Sequence, residues 1–201
     1  MERLIAISEL IDRVLTVIGK VAAWAGLALV TVTIFDVVTR RFFVLGSTQL
    51  QELEWHFHVV LFSLCIGWAY MKDAHVRIDL LRERCSERTR WWIELLGCLL
   101  FLLPYCALVI WFSYDFWHRS WLQGECSNSA TGLCYRWAIK IFIPIGFSLL
   151  ALSGIAVLLR KIVELFGPPD LRSRVHEIEE AEIEHLDEVT VEDVAGRDGA
   201  G

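Results

Sequence analysis

The sequence lacks a Cys-x-x-Cys pair; its six cysteines are scattered between Cys65 and Cys134. A four-span, quinone-linked disulfide oxidoreductase needs that reactive pair, so this class is set aside. There is no basic patch outside the segments that flank apolar runs, which leaves no nucleic-acid footprint. No small-residue cleavage site follows the first apolar run, and Arg3, Asp12, Arg13 and Lys20 interrupt its approach. The first span is therefore expected to be retained rather than removed as a signal peptide. Acidic residues are missing from the middle of three of the four apolar runs. A stand-alone transporter presents ionisable or broken-helix features from several spans around one central site. A complete transport path within this chain is therefore not expected.

What is present is apolar. Of 201 residues 55% are hydrophobic, with nine Trp and eleven Phe, which exceeds the usual share in soluble domains. The excess falls in four blocks and predicts an all-α integral membrane protein with four transmembrane helices, at about residues 14–35, 48–71, 91–117 and 137–159. Together they form one membrane domain over residues 14–162. Residues 1–13 read as an amphipathic lead-in lying on the cytoplasmic surface, and the stretch between the second and third spans as a short interfacial inner loop. Gly19, Ala22, Ala23 and Gly26 put small residues on one side of the first span, where another helix can come close. Pro104 is expected to kink the third span, and Gly167-Pro168-Pro169 to end the fourth helix.

The formal net charge of -6 is unevenly placed. From Gly167 to Gly201 eleven Asp and Glu face three Lys and Arg, a net of -8, so the rest of the chain is +2. Residues 163–201 read as an acidic, partly disordered cytoplasmic tail. With the N-terminus inside, the inner segments hold most of the Lys and Arg. The positive-inside rule then places both termini in the cytoplasm. Arg40 and Arg41 are the outer exception, and a pairing with Glu52 or Glu54 would explain them. Asp36 and Arg40 can pair if the first helix continues that far. Under this topology Cys126 and Cys134 lie on the oxidising side and are expected to form a disulfide. Cys65, Cys98 and Cys106 read as buried small hydrophobes, and Cys85 as a reduced inner-loop thiol.

The second span is the least ordinary. It is about 36 Å long at 1.5 Å per residue, enough to cross roughly 30 Å of hydrocarbon. Yet its first half carries Glu52, Glu54, His56 and His58. Such groups need protein or water beside them. Glu52 and His56 are spaced i,i+4, as are Glu54 and His58, so each glutamate has a histidine available on its own helix face. An alternative makes the histidines haem ligands of a membrane cytochrome or quinone-linked anchor subunit. His56 and His58 diverge on one helix, so that reading needs either a pairing across to His118 or one axial histidine with an open position. No catalytic or metal-ligating group is assigned.

The runs Arg40-Arg41-Phe42, Glu52-Leu53-Glu54, Gly67-Trp68-Ala69-Tyr70 and Asp73-Ala74-His75-Val76-Arg77-Ile78-Asp79-Leu80-Leu81 resemble a known pattern. It is that of the small, DctQ-like membrane subunit of tripartite ATP-independent periplasmic (TRAP) transporters. The resemblance covers about residues 14–162. The sequence departs from it where Leu53 separates two glutamates that are often adjacent, and in the acidic tail and the Cys126/Cys134 loop. The resemblance implies a non-enzymatic scaffold subunit of a sodium-coupled organic-acid uptake system. Its partners would be a large DctM-like membrane subunit, a periplasmic substrate-binding protein and membrane lipid. No cofactor is implied, and sodium would bind the large subunit. Arg40, Arg41, Glu52, Glu54, His56 and His58 are then expected to form an outer polar cluster that orients the second span or meets the partner. Asp73, His75, Arg77 and Asp79 are expected to fix the inner loop.

Overall fold

Two prolines set where the long helices depart from regular geometry, because proline gives no N–H to the carbonyl four residues back. The computed structural model describes residues 1–43, 46–72 and 86–178, and these residues form helices and connections without strands. Helix α1 is Glu2–Phe42 and α2 is Thr48–Met71. Helix α3, Glu87–Gly97, continues through a π-turn, Cys98–Leu102, into α4, Leu103–Leu122. Pro104 cannot bond the Leu100 carbonyl, and the backbone instead widens so that Leu103 N–H reaches Cys98 O. A short α5, Trp137–Lys140, meets α6, Phe142–Phe166, at Ile141, where Pro144 leaves the Lys140 carbonyl without its helical donor. Residues 169–178 form α7 after the break at Gly167.

Among the described residues, three stretches are long and apolar enough to cross a membrane: Glu2–Phe42, Arg88–Leu122 and Trp137–Phe166. Helix α2 is as long as a span, but its polar first turns keep it out of that group. Ser47 and Ser86 cap α2 and α3, accepting from Leu50 N and Thr89 N at 3.4 Å each.

α1 and α3–α4 run one way through the bundle, and α2 and α6 run the other. One end therefore gathers the start of α1 and the end of α6, and the opposite end carries the loop between α4 and α5. α1 presents a stripe of Ile5, Ser8, Ile11, Leu15, Gly19 and Ala22 at steps of three and four residues. Ile11 and Leu15 join Met71 and Ala156 in one core, and Ile5 joins Val163 and Val175 in another. Gly19 meets the Trp68 ring and Gly26 meets Leu61, whereas Ala23, expected on the same side, is exposed.

Two expectations change. The lead-in is not a separate element: residues 2–13 are the first turns of α1, and the helix carries them onto α6 and α7 because their apolar stripe continues that of the span. Arg40 and Arg41 lie in the last turn of α1, not in a turn beyond it. The first eight residues of the tail after Asp170 are helical and fold back, with Val175 fully buried. The inner loop with Asp73, His75, Arg77 and Asp79, and the rest of the acidic tail, lie outside the described residues.

Candidate functional site at the polar ends of the bundle

At the loop end, α2 begins with Glu52, and the α4–α5 loop packs onto its carboxylate. Ser127 Oγ donates to Oε1, and the Leu133 backbone N–H donates to Oε2 at 2.6 Å. The loop is closed by a disulfide between Cys126 and Cys134 and by Ser127 N donating to Leu133 O at 3.0 Å. Thr131 bonds Thr48 at 3.3 Å. Gly132 sits between these parts: a Cβ there would lie 2.3 Å from Ser127 and 2.9 Å from Glu52 Oε1. One buried carboxylate thus holds a disulfide loop that is 75 and 81 residues distant in sequence.

Glu52→Ala is expected to speed reduction of the Cys126–Cys134 bond by a water-soluble phosphine several-fold, since two charge-assisted bonds that restrain the loop are gone. Glu54→Ala should react as the unmodified protein does. Equal rates in all three would show that Glu52 does not restrain the loop.

The same loop has a second tie. Glu125 bonds Lys140 of α5, and Lys140 Nζ stands 3.9 Å from the Phe116 ring centroid. The hydrogen bond from Lys140 holds the Glu125 carboxyl below its ordinary range.

The six residues expected to share one cluster occupy separate settings. Arg40 pairs with Asp36 one turn earlier on α1. With its amide oxygen facing the guanidinium, Gln51 accepts from Arg40 at 2.6 and 3.0 Å. Arg41 is exposed. Glu52 is held by the loop rather than by either arginine. Glu54 Oε1 is buried and takes no hydrogen bond among the described residues. The His56 ring bonds the Glu52 backbone carbonyl, not its carboxylate. His58 is exposed on α2 and has no hydrogen-bond partner among the described residues. The i,i+4 glutamate–histidine pairs are thus geometrically available, but neither carboxylate bonds its histidine. His118 stacks on Tyr114 at 6.1 Å. His56 and His118 are engaged separately and His58 has no hydrogen-bond partner among the described residues, which gives the haem alternative no support.

The end where α1 starts and α6 finishes is charged and buried. Lys161 of α6 lies 3.3 Å from Glu94 of α3 and 3.0 Å from Glu164, which is fully buried. Arg160 Nε donates to Ser8 Oγ at 2.8 Å, and Ser8 donates to the Ala156 carbonyl at 3.3 Å. Lys72 pairs with Asp12 at 3.4 Å. Arg172 of α7 donates to the Gly167 and Leu165 carbonyls at 2.9 and 3.3 Å, closing the end of α6. These contacts join all the long helices at one rim. Among the described residues, no group of three or more His, Cys, Asp or Glu side chains is arranged to hold a metal ion.

Sequence reasoning missed Ser127, Leu133 and Gly132 as partners of Glu52, and Ser8, Glu94, Lys161 and Glu164 as the opposite rim. The first group left no local spacing to read. The second had a signal, in the charges that punctuate the ends of otherwise apolar helices.

The bundle thus has ionic rims at both ends and a long apolar girth between them. Residues 29–164, more than half of the chain, match the family model described as tripartite ATP-independent periplasmic transporters, DctQ component. No curated protein matches the chain. The chain belongs to the DctQ component family of tripartite ATP-independent periplasmic transporters.

Proposed function

We propose that this chain is the small scaffold subunit of a sodium-coupled uptake system for organic acids. It braces the large substrate-translocating subunit in a bacterial inner membrane, and its loop end lies on the periplasmic side, where a substrate-binding protein docks. The family match over residues 29–164 carries the reading. The distribution of charge supports it. Buried ionic groups gather at the two rims, as a passive brace requires, rather than forming a row through the bundle. Helix α2 is the fourth span, its polar start sheltered by the disulfide loop. Arg3, Arg13, Lys72, Arg160, Lys161, Arg172 and Arg174 crowd the end where α1 starts and α6 finishes, which suits a cytoplasmic placement. Sodium and substrate belong to the large subunit, and this chain needs no cofactor and catalyses no reaction.

The test is reconstitution. Co-expressed with the large membrane subunit of its system, the tagged chain should bring that subunit down in detergent, and vesicles holding both should take up solute with the binding protein and a sodium gradient. Solute movement by the purified chain alone, or a haem absorption band in its spectrum, would overturn the reading.

A further inference from the structure

The long apolar girth is not uniform. The outward side of α1 presents Val17, Val21, Trp24, Leu27, Val30 and Ile34, all exposed and all compatible with lipid tails. A different face has polar tips at mid-depth. His58 is exposed ten residues into α2, about 15 Å from its start. Half of a hydrocarbon core is also roughly 15 Å. Tyr105, 57% exposed, lies near the middle of the Arg88–Leu122 span. Both flank Phe147 of α6: Tyr105 meets its ring at 6.0 Å, and His58 and Phe147 line one groove of about 320 Å³ with Phe62, Ser63 and Ile143. A second groove of about 400 Å³ continues the face between Tyr70, Cys98, Phe101 and Tyr105. Phe62 and Phe101 are 61% and 75% exposed on its two sides. The result is a trough with α2 and α4 as walls and α6 as floor.

Lipid tails offer nothing to an imidazole, and an ionisable side chain at mid-depth faces protein or a wet cavity rather than acyl chains. A trough with two helical walls is the shape that receives a helix. Resting on the scaffold-subunit reading above, we infer that this trough seats a transmembrane helix of the large subunit. That helix carries a hydrogen-bonding side chain, an amide, hydroxyl or carboxyl, level with His58. The outward side of α1 faces lipid. Small or polar residues on the incoming helix would suit the aromatic walls, since close packing and interhelical hydrogen bonds drive association within a bilayer.

The experiment uses the complete complex in membranes. Photocrosslinking residues go in as Phe62→p-benzoyl-phenylalanine and Phe101→p-benzoyl-phenylalanine in the trough, and as the same replacements at Leu27 and Ile34 on α1. Adducts to the large subunit are expected from the first pair and not from the second. In parallel, His58→Phe keeps ring bulk and removes the hydrogen bond. It should weaken recovery of the large subunit about three-fold, the effect of one typical interhelical hydrogen bond in a bilayer. His58→Gln should restore much of it. Adducts from α1 alone, or His58→Phe complexes recovered at the unmodified level, would overturn the trough while leaving the scaffold reading in place. An unmodified chain that captures no large subunit would overturn both.

Discussion

Gly67→Leu is expected to abolish recovery of folded, monodisperse protein in detergent, while Gly97→Leu leaves recovery unchanged. A Cβ at Gly67 would lie 2.8 Å from the Leu149 carbonyl oxygen and 2.9 Å from its carbon. That obstacle is backbone and cannot rotate aside. Gly146 makes the reciprocal approach, with the Ser63 carbonyl oxygen 2.7 Å from its would-be Cβ. Helices α2 and α6 run in the same direction and touch main chain to main chain through these two positions, so neither can take a branched side chain without separating the pair. Overpacking a well-fitted core costs about 1–3 kcal/mol where side chains can shift, and here the backbone must move as well. Gly97 has nothing within 4 Å of its would-be Cβ, so the control adds the same apolar bulk at a place that accepts it. Size-exclusion profiles and thermal midpoints of the two variants decide the matter. A Gly67→Leu protein that elutes and melts like the unmodified one would show that the two helices are not locked at this spacing.

Lys161→Met is the second large effect. It keeps the length of the side chain and removes the cation that stands between Glu94 and the fully buried Glu164. Removing one member of a buried ion pair costs about 3–5 kcal/mol, because the other charge stays out of water. Glu94 and Glu164 hold further interactions, which favours the lower part of that range. The thermal midpoint should fall well below that of the unmodified protein. The double variant Lys161→Met with Glu164→Leu should regain part of the loss, because a well-packed apolar pair can replace a buried ionic one. An unshifted midpoint in the single variant would mean that the cation does not hold α3 to α6.

Much of the architecture was legible in the residues. Apolar run length gave the long helices. The Asp36–Arg40 pair follows from a spacing of four on one helix, and Ser47 or Thr48, with Ser86, are residues that can cap the second and third helices. The opposed Cys126 and Cys134 of a polar loop, placed by charge asymmetry on the oxidising side, pointed to the bond that closes it. Positions decided by long-range contact were not legible. Glu52 has His56 within one turn and Arg40 just across the connection, and local spacing favours both. The loop wins because it brings a hydroxyl and a backbone N–H together at the carboxylate, and an unpaired buried N–H is costly. The continuity of α1 through residue 14 was hidden for the opposite reason. Charges at Arg3, Glu9, Asp12 and Arg13 look like a surface helix until the stripe of Ile5, Ser8, Ile11 and Leu15 is seen to extend onto α6 and α7. Proline at 104 announced a bend, but a kink and a π-turn share that signal.

The π-turn also sets the angular phase of one entire wall. Cys98 and Cys106 are both buried, Cys98 giving its Sγ–H to the Gly154 carbonyl at 3.1 Å. Eight residues at 3.6 per turn would leave them about 80° apart, and the wider turn between them takes up much of that angle. Cys106, Ser113 and Ser120 then repeat every seven residues along the buried side. A chain lengthened by one residue within Cys98–Leu102 would keep its apolarity and could still enter a bilayer. It would do so with one half of that wall rotated out of phase with the other, so that entry into the membrane and a correct contour for assembly are separable properties of this sequence.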